Sequence, residues 1–330
     1  MAPGGPPQDL LTDLAQLGGC GSAVVELDDG KAAAQAGPGV VRVGVDRAGR
    51  LPAVDADAFD VLLTRRPAPA PWVHVADADA AVAALQAQIA LKPVASAVCA
   101  QVLRATLQLS FDEALALESL AYSMLLASGE FRAWRAATPP RPPAETGATR
   151  VLIEDDGPGL AIVLNRPERR NAVDAAMRDA LTEALAFALQ HPDAPPVTLR
   201  GAGPAFSAGG DLDEFGTAGD VGAAHLIRTL RSPARLAHQL GERLTARLHG
   251  ACVGAGIEVP AAATRVTATP GAWFRLPEVS MGLIPGAGGT ASIPRRIGRH
   301  RAAWMALSGA DIDLPTALAW GLVDAEAPAP

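Results

Sequence analysis

Three glycine-rich segments, each set to turn the chain from a strand into a helix, constrain this 330-residue protein more than any other feature. Phe206-Ser207-Ala208-Gly209-Gly210-Asp211-Leu212 follows the strand-like run Pro196 to Arg200. Its paired glycines let the backbone turn sharply and bare its amide N–H groups. His249-Gly250-Ala251-Cys252-Val253-Gly254-Ala255-Gly256-Ile257-Glu258 also follows a strand and runs into a helix start. Its glycine order, GxxxGxG with Pro260 close behind, is not that of a dinucleotide fingerprint. What remains is a small-residue turn at a helix N-terminus, where free N–H groups and the dipole favour negative charge, an oxyanion included. The third segment is Leu276-Pro277-Glu278-Val279 followed by Gly282 through Thr290. No Lys-Ser or Lys-Thr pair follows those glycines, so it is not a phosphate loop of the nucleotide-hydrolase kind. Each segment by itself also reads as an ordinary turn, and Glu278 by itself as a solvated surface carboxylate.

Around these turns, helical and strand-like stretches alternate. Val151 to Ile153 and Leu160 to Leu164 flank the hairpin signal Asp156-Gly157-Pro158-Gly159. Helices are predicted over Ala175 to Leu189 and His225 to Gln239, and strands over Pro196 to Arg200 and Leu244 to Leu248. This alternation indicates an α/β layer arrangement. Upstream, Val40 to Val45 and Phe59 to Leu63 read as short buried strands. Asp79 to Leu91 and Pro93 to Leu109 read as helices, the second opened by its proline. Ser110 with Glu113 forms a capping box for a third helix, with Leu117, Leu120, Met124 and Leu125 inward and Gly129 closing it. Thr138 to Gly147 carries four prolines and no apolar pattern, and reads as a linker.

A net charge of −7 gives no electrostatic reason to expect nucleic acid as a partner. No stretch approaches the roughly 18 apolar residues of a membrane span. Met1 to Gln8 lacks the order of a secretion signal. Cys20, Cys99 and Cys252 have neither metal nor disulfide spacing, which makes the cytoplasm the simplest compartment. The six histidines show no metal-ligand spacing, so no metal site is expected.

Taken in order, Asn165-Arg166-Pro167-Glu168-Arg169-Arg170-Asn171-Ala172, the three glycine segments, and Ser308-Gly309 through Ala319-Trp320-Gly321-Leu322-Val323-Asp324 resemble the crotonase superfamily. These are the enoyl-CoA hydratases, isomerases and their relatives, and the resemblance spans about residues 150 to 325. It implies a spiral core of ββα turns with CoA thioesters bound at helix N-termini. The amides of Gly210 and Ala255 become the oxyanion donors, and Glu258 and Glu278 the catalytic acid/base pair. The family often has glycine where Ala255 stands, a change that a backbone donor tolerates. Ala208, Gly210 and Asp211 fall in the CoA-binding turn. Arg169 and Arg170 sit where the family's first motif approaches the CoA phosphates, although a solvated surface role suits each of them too. Trp134, with Arg132 and Arg135, falls where the family's last helix reaches a neighbouring subunit's adenine.

The implied activity is hydration of an α,β-unsaturated acyl-CoA. Isomerisation or another enolate chemistry, and a non-catalytic acyl-CoA-binding or assembly role, remain alternatives. No prosthetic group is implied; coenzyme A enters as part of the substrate, and the family precedent is a trimer or a dimer of trimers. Family members continue after the Gly-Leu-Val-Asp segment with an extended piece and about three helices. Here residues 72–137 resemble that tail: Trp72-Val73-His74-Val75 the extended piece, and the following stretches the helices, the last from Phe111 to Phe131. The expectation is a circularly permuted member, with 138–147 as linker, 148–330 as core and 1–71 as an added segment of unclear role. An unrelated helical domain fused to a truncated core is the other possibility.

Overall fold

The computed structural model describes residues 19–27, 36–141 and 149–328. Its first layer is a parallel sheet of β1 (Gly21–Glu26), β2 (Val40–Asp46), β3 (Val61–Thr64) and β4 (Val73–His74), paired in chain order. The two predicted strands are present, and Trp72 to Val75 supplies a fourth. Division of the chain after residue 71 therefore falls inside one sheet, because Leu63 pairs with Val73.

Three helices follow in close succession. α1 (Ala78–Leu91) starts where Asp77 accepts from the amides of Asp79 and Ala80, and α2 (Pro93–Thr106) opens on its proline. α3 (Phe111–Leu126) carries the predicted capping box of Ser110 and Glu113. It does not run on to Phe131. Ser128 caps a separate helix, α4 (Gly129–Ala137), so Gly129 opens a helix instead of closing one. The inward stripe of α3 is Phe111, Ala114, Leu115, Glu118, Ser119 and Leu125. Leu120 and Met124 are each 56% exposed, because they lie off that stripe. Residues 142–147 of the predicted linker lie outside the described residues.

The second half builds a six-stranded sheet. β5 (Val151–Asp156) and β6 (Gly159–Leu164) form the predicted hairpin, with Gly157 at φ +66° in the turn. α5 (Ala175–Gln190) leads to β7 (Val197–Gly201). The helix predicted from 225 to 239 is two helices, α6 (Val221–Leu230) and α7 (Pro233–Leu240). Pro233 has no N–H to continue α6, and Ser232 starts α7 afresh by accepting from the Arg235 amide. β8 (Leu244–Leu248) is followed by β9 (Ala251–Val253), the single-turn α8 (Ala255–Glu258), β10 (Arg265–Ala268) and β11 (Trp273–Arg275). The chain then forms α9 (Gly289–Ile297), α10 (Arg299–Ser308), β12 (Ile312–Asp313), α11 (Leu314–Trp320) and β13 (Ala325–Glu326). The large sheet runs β13-β10-β8-β7-β6-β5, and β12-β11-β9 forms a smaller one.

The two halves share one core. α3 packs against α6 and α9, and α10 packs against α1, α2, β3 and β4. Arg299 donates to the carbonyl of Phe59, and the Arg301 side chain to that of Trp72, latching α10 onto the first sheet. No single helix among the described residues is long and apolar enough to cross a membrane.

Candidate active site

A cavity of about 220 Å³ lies between α3, α5, α6 and the three glycine turns, and Gly210, Ala255, Glu258 and Glu278 all line it. The isolated β-bridge between Val173 and Gly210 aims one amide. Val173 donates to Gly209 O, and Asp211 donates to Val173 O. Alternation along an extended strand then turns the Gly210 N–H to the opposite side. Ala255 opens α8, where an amide has no intrahelical acceptor. Neither N–H donates to any acceptor among the described residues.

Two carboxylates converge over Gly254, which sits at φ +49°. A Cβ added there would collide with Glu278 Oε1 and stand 3.7 Å from Glu258 Oε1. Glu258 is anchored by its other oxygen, Oε2, which accepts from the amides of Ala287 at 2.7 Å and Gly289 at 2.9 Å. Glu278 Oε2 is buried and has no hydrogen-bond partner among the described residues. Glu278 is thus not the solvated carboxylate that its sequence setting alone suggests; it is 6% exposed and Glu258 2%.

A third carboxylate enters from α3. Glu118 lines the same cavity, its Oε1 accepting from Gly288 N at 2.7 Å and its Oε2 from Thr290 N at 2.8 Å and Thr290 Oγ1 at 2.7 Å. Burial pushes Glu278 up to about 8 and Glu118 up to about 7. Burial, joined by the charges of Glu278 and Glu118, holds Glu258 well above the usual carboxylate range. Such a cluster keeps protons near neutral pH, the condition for one carboxyl to act as acid beside another acting as base.

The remaining predicted residues surround this centre without entering it. Ala208 donates its amide to Arg170 O at 2.8 Å. Asp211 is buried, its side chain tied to Arg166 Nη1 at 2.7 Å, so it fastens the turn to the first motif and does not face the cavity. Arg169 lies 3.7 Å from Asp213, and Arg170 is exposed at φ +50°. The Trp134 ring is half-buried within its own chain, between Phe131 at 5.7 Å and Phe215 at 6.3 Å. Phe215 in turn covers Gly210, where a Cβ would meet its ring at 2.5 Å. Phe274 is buried in the core and Trp273 is half-buried beside it in β11; neither lines the cavity. Cys252 is buried and fills space in the core.

Glu118, Tyr122 and Arg228 also line the site, and none of them belongs to a motif visible in the sequence. Glu118 carried a readable signal, a charged residue in phase with the apolar stripe of its helix. Arg228 carried none, since no residue of α6 is buried. Among the described residues, no group of three or more His, Cys, Asp or Glu is placed to hold a metal ion.

Sheet, spiral turns and paired amides define a crotonase-type fold, and the chain belongs to the enoyl-CoA hydratase/isomerase family, whose sequence pattern matches residues 159–329. It is 33% identical over 173 residues to a mevalonyl-coenzyme A hydratase of Beauveria bassiana, covering 50% of this chain and 62% of that protein. It is 38% identical over 167 residues to a probable enoyl-CoA hydratase of Rhodobacter capsulatus, covering 50% of this chain and 64% of that protein. A 2,3-dehydroadipyl-CoA hydratase of Escherichia coli is 35% identical over 164 residues, with 50% and 64% covered. The chain thus spans less than two thirds of the length of these curated relatives. Among solved structures, an enoyl-CoA hydratase from Thermoplasma volcanium superimposes with a TM-score of 0.50 at 32% identity, over 55% of this chain and 72% of that one. One from Bacillus anthracis gives 0.50 at 29%, over 54% and 70%.

Proposed function

We propose that this protein adds water across the double bond of an α,β-unsaturated acyl-CoA, or removes it. The observation that carries the reading is that two acceptor-free amides and two converging glutamates line one cavity. The thioester oxygen takes hydrogen bonds from Gly210 and Ala255. Water, held between Glu258 and Glu278, adds its oxygen at Cβ. One carboxylate takes the water proton, and the partner carboxylic acid protonates Cα. The enolate charge that collects on the thioester oxygen meanwhile faces the two amides. Loss of one such donor costs roughly 10²–10³ in rate, comparable to the roughly 10²–10⁴ contributed by a general base, so the amides and the glutamates matter equally.

A panel of 2-enoyl-CoA thioesters, assayed for loss of the conjugated chromophore, tests this. Wild type consumes at least one of them, and Glu258→Gln and Glu278→Gln each reduce turnover at least a hundredfold, in line with the loss of a general acid or base. Turnover unchanged in both variants, or acyl-CoA binding without any turnover by wild type, sinks the reading; the second result leaves a binding role.

The same reading assigns the CoA phosphates to Arg169 and Arg170 beside the Ala208 turn, and supports a circular permutation. In its favour, α3 brings Glu118 into a cavity otherwise formed after residue 148. Chain ends that lie close together make such a reordering physically accessible. Fragments cut within 138–147 reassociate on this reading; two fragments that fold and stay apart refute it. Exposed Leu120, Met124, Ile227 and Leu230 on the packed helices α3 and α6 support self-association, in keeping with a trimer or hexamer.

A further inference from the structure

Three arginines line the cavity, and two of them are neutralised within the protein. Arg178 pairs with Asp179 at 2.7 Å; Arg231 pairs with Asp179 at 3.2 Å and Glu183 at 3.7 Å. Arg228 is different. Its Nη1 donates to Ser119 Oγ at 2.8 Å, Ser123 Oγ at 3.1 Å and Ser119 O at 3.4 Å, and its guanidinium lies 4.6 Å over the Tyr122 ring. These partners are neutral. Its Nε and Nη2 make no hydrogen bond to the described residues, and among those residues no carboxylate pairs with it. Glu118 acts on it through space, but the Glu118 oxygens are already taken by Gly288 and Thr290.

Arg228 is half-buried, an arginine keeps its charge in such a setting, and a partly desolvated cation without a counter-ion favours an anionic partner. Two serines and an aromatic face orient this guanidinium at the cavity wall, and its Nε and Nη2 keep no hydrogen-bond partner among the described residues. The cavity's volume is below the roughly 300–1,000 Å³ of a drug-sized ligand site. It therefore accommodates the acyl end of a thioester and not the nucleotide of coenzyme A, which places Arg228 among the groups the acyl chain meets.

We propose that the acyl chain ends in a carboxylate, which Arg228 receives through Nε and Nη2 beside the Tyr122 ring. The substrate class is thus a CoA thioester of an unsaturated dicarboxylic acid and not of a plain alkyl chain. The inference rests on the reading of the cavity as an acyl-CoA site, and deepens it. A fork of two guanidinium donors matches the two oxygens of a carboxylate, which a terminal methyl cannot offer.

The test uses saturated thioesters, so that binding is read without turnover. Calorimetry compares succinyl-, glutaryl- and adipyl-CoA with butyryl-, valeryl- and hexanoyl-CoA, matched carbon for carbon. At one chain length or more, the carboxylate-ended member binds wild type at least roughly tenfold more tightly, as one strong charge-assisted contact provides. Arg228→Met removes that preference while keeping the affinity for the alkyl member. Equal affinity of wild type for the two members at every length overturns the inference and leaves the acyl-CoA site standing. If no thioester of either kind binds, the reading of the cavity fails, and the inference with it. The wild-type comparison decides the matter even if Arg228→Met does not fold.

Discussion

Glu118 and Glu258 divide four consecutive amides between them. Glu258 takes those of Ala287 and Gly289, and Glu118 those of Gly288 and Thr290. One carboxylate comes from the helical half of the chain and the other from the single-turn helix after β9, and the loop opening α9 is clamped between them. Whatever orients Glu258 Oε1 toward the cavity therefore depends on Glu118 as well.

In Glu118→Gln an amide nitrogen replaces one acceptor oxygen, so that one of the two backbone donors faces another donor. Loss of a buried partner of this kind costs about 1–3 kcal/mol of stability. The informative readout is the pH profile. The Glu118 charge is one of the causes that raise Glu258, so its removal shifts the Glu258 limb of kcat/KM toward lower pH. A variant that loses stability with an unmoved profile reduces Glu118 to scaffolding.

Gly254→Ala tests the convergence of the carboxylates. The residue sits at φ +49°, and the new methyl would run into Glu278 Oε1. Both backbone strain, about 1–3 kcal/mol, and displacement of a catalytic group are expected, with kcat falling at least tenfold. Gly157→Ala is the control, since it carries the same kind of strain at φ +66° with nothing within 4 Å of the added methyl. It is expected to lower Tm and leave kcat alone. Equal activities in the two variants would argue against the geometry.

Ala255→Pro removes one oxyanion donor. Proline fits the first position of a helix, and its ring carbon takes the place of the amide hydrogen, so the donor is lost and the hole is narrowed. The expected outcome is a drop in kcat of roughly 10²–10³ with little change in Tm by circular dichroism. A variant of undiminished kcat would show that this amide does not serve the reaction.

Stability should fall between about pH 4.5 and 8. Burial lifts Glu278 from 4.5 to about 8 in the folded chain, so in this window the folded state binds a proton that the unfolded state has released. The contribution is fully present below 4.5 and is lost as the pH rises through about 8. Tm of the wild type is expected to fall more between pH 5 and pH 8 than Tm of Glu278→Gln, which has no proton to lose. Parallel slopes for the two proteins would contradict the burial of an ionisable group at this position.

The readable parts of this protein were those decided within a few residues. The Ser110–Glu113 capping box, the Asp156–Gly159 hairpin and the glycine turns carrying Gly210, Ala255 and Glu258 follow from local backbone geometry and short hydrogen bonds, which a sequence displays directly. Resemblance supplied the pairing of Glu258 with Glu278, because their spacing along the chain says nothing about their spacing in space. The break at Pro233 was also legible, and the apolar pattern from His225 to Gln239 obscured it.

Packing decided the rest. Glu118 reaches the cavity only because α3 lies against α9, and Arg228 becomes an unbalanced cation only because α6 lays it over Tyr122 on α3. Leu120 and Met124 face outward because the phase of α3 is set by what it packs against and not by its own composition. Burial, charge balance and the direction of a side chain are properties of neighbours brought in from far along the chain. One strand or helix does not contain them, so they appear only when the elements are assembled.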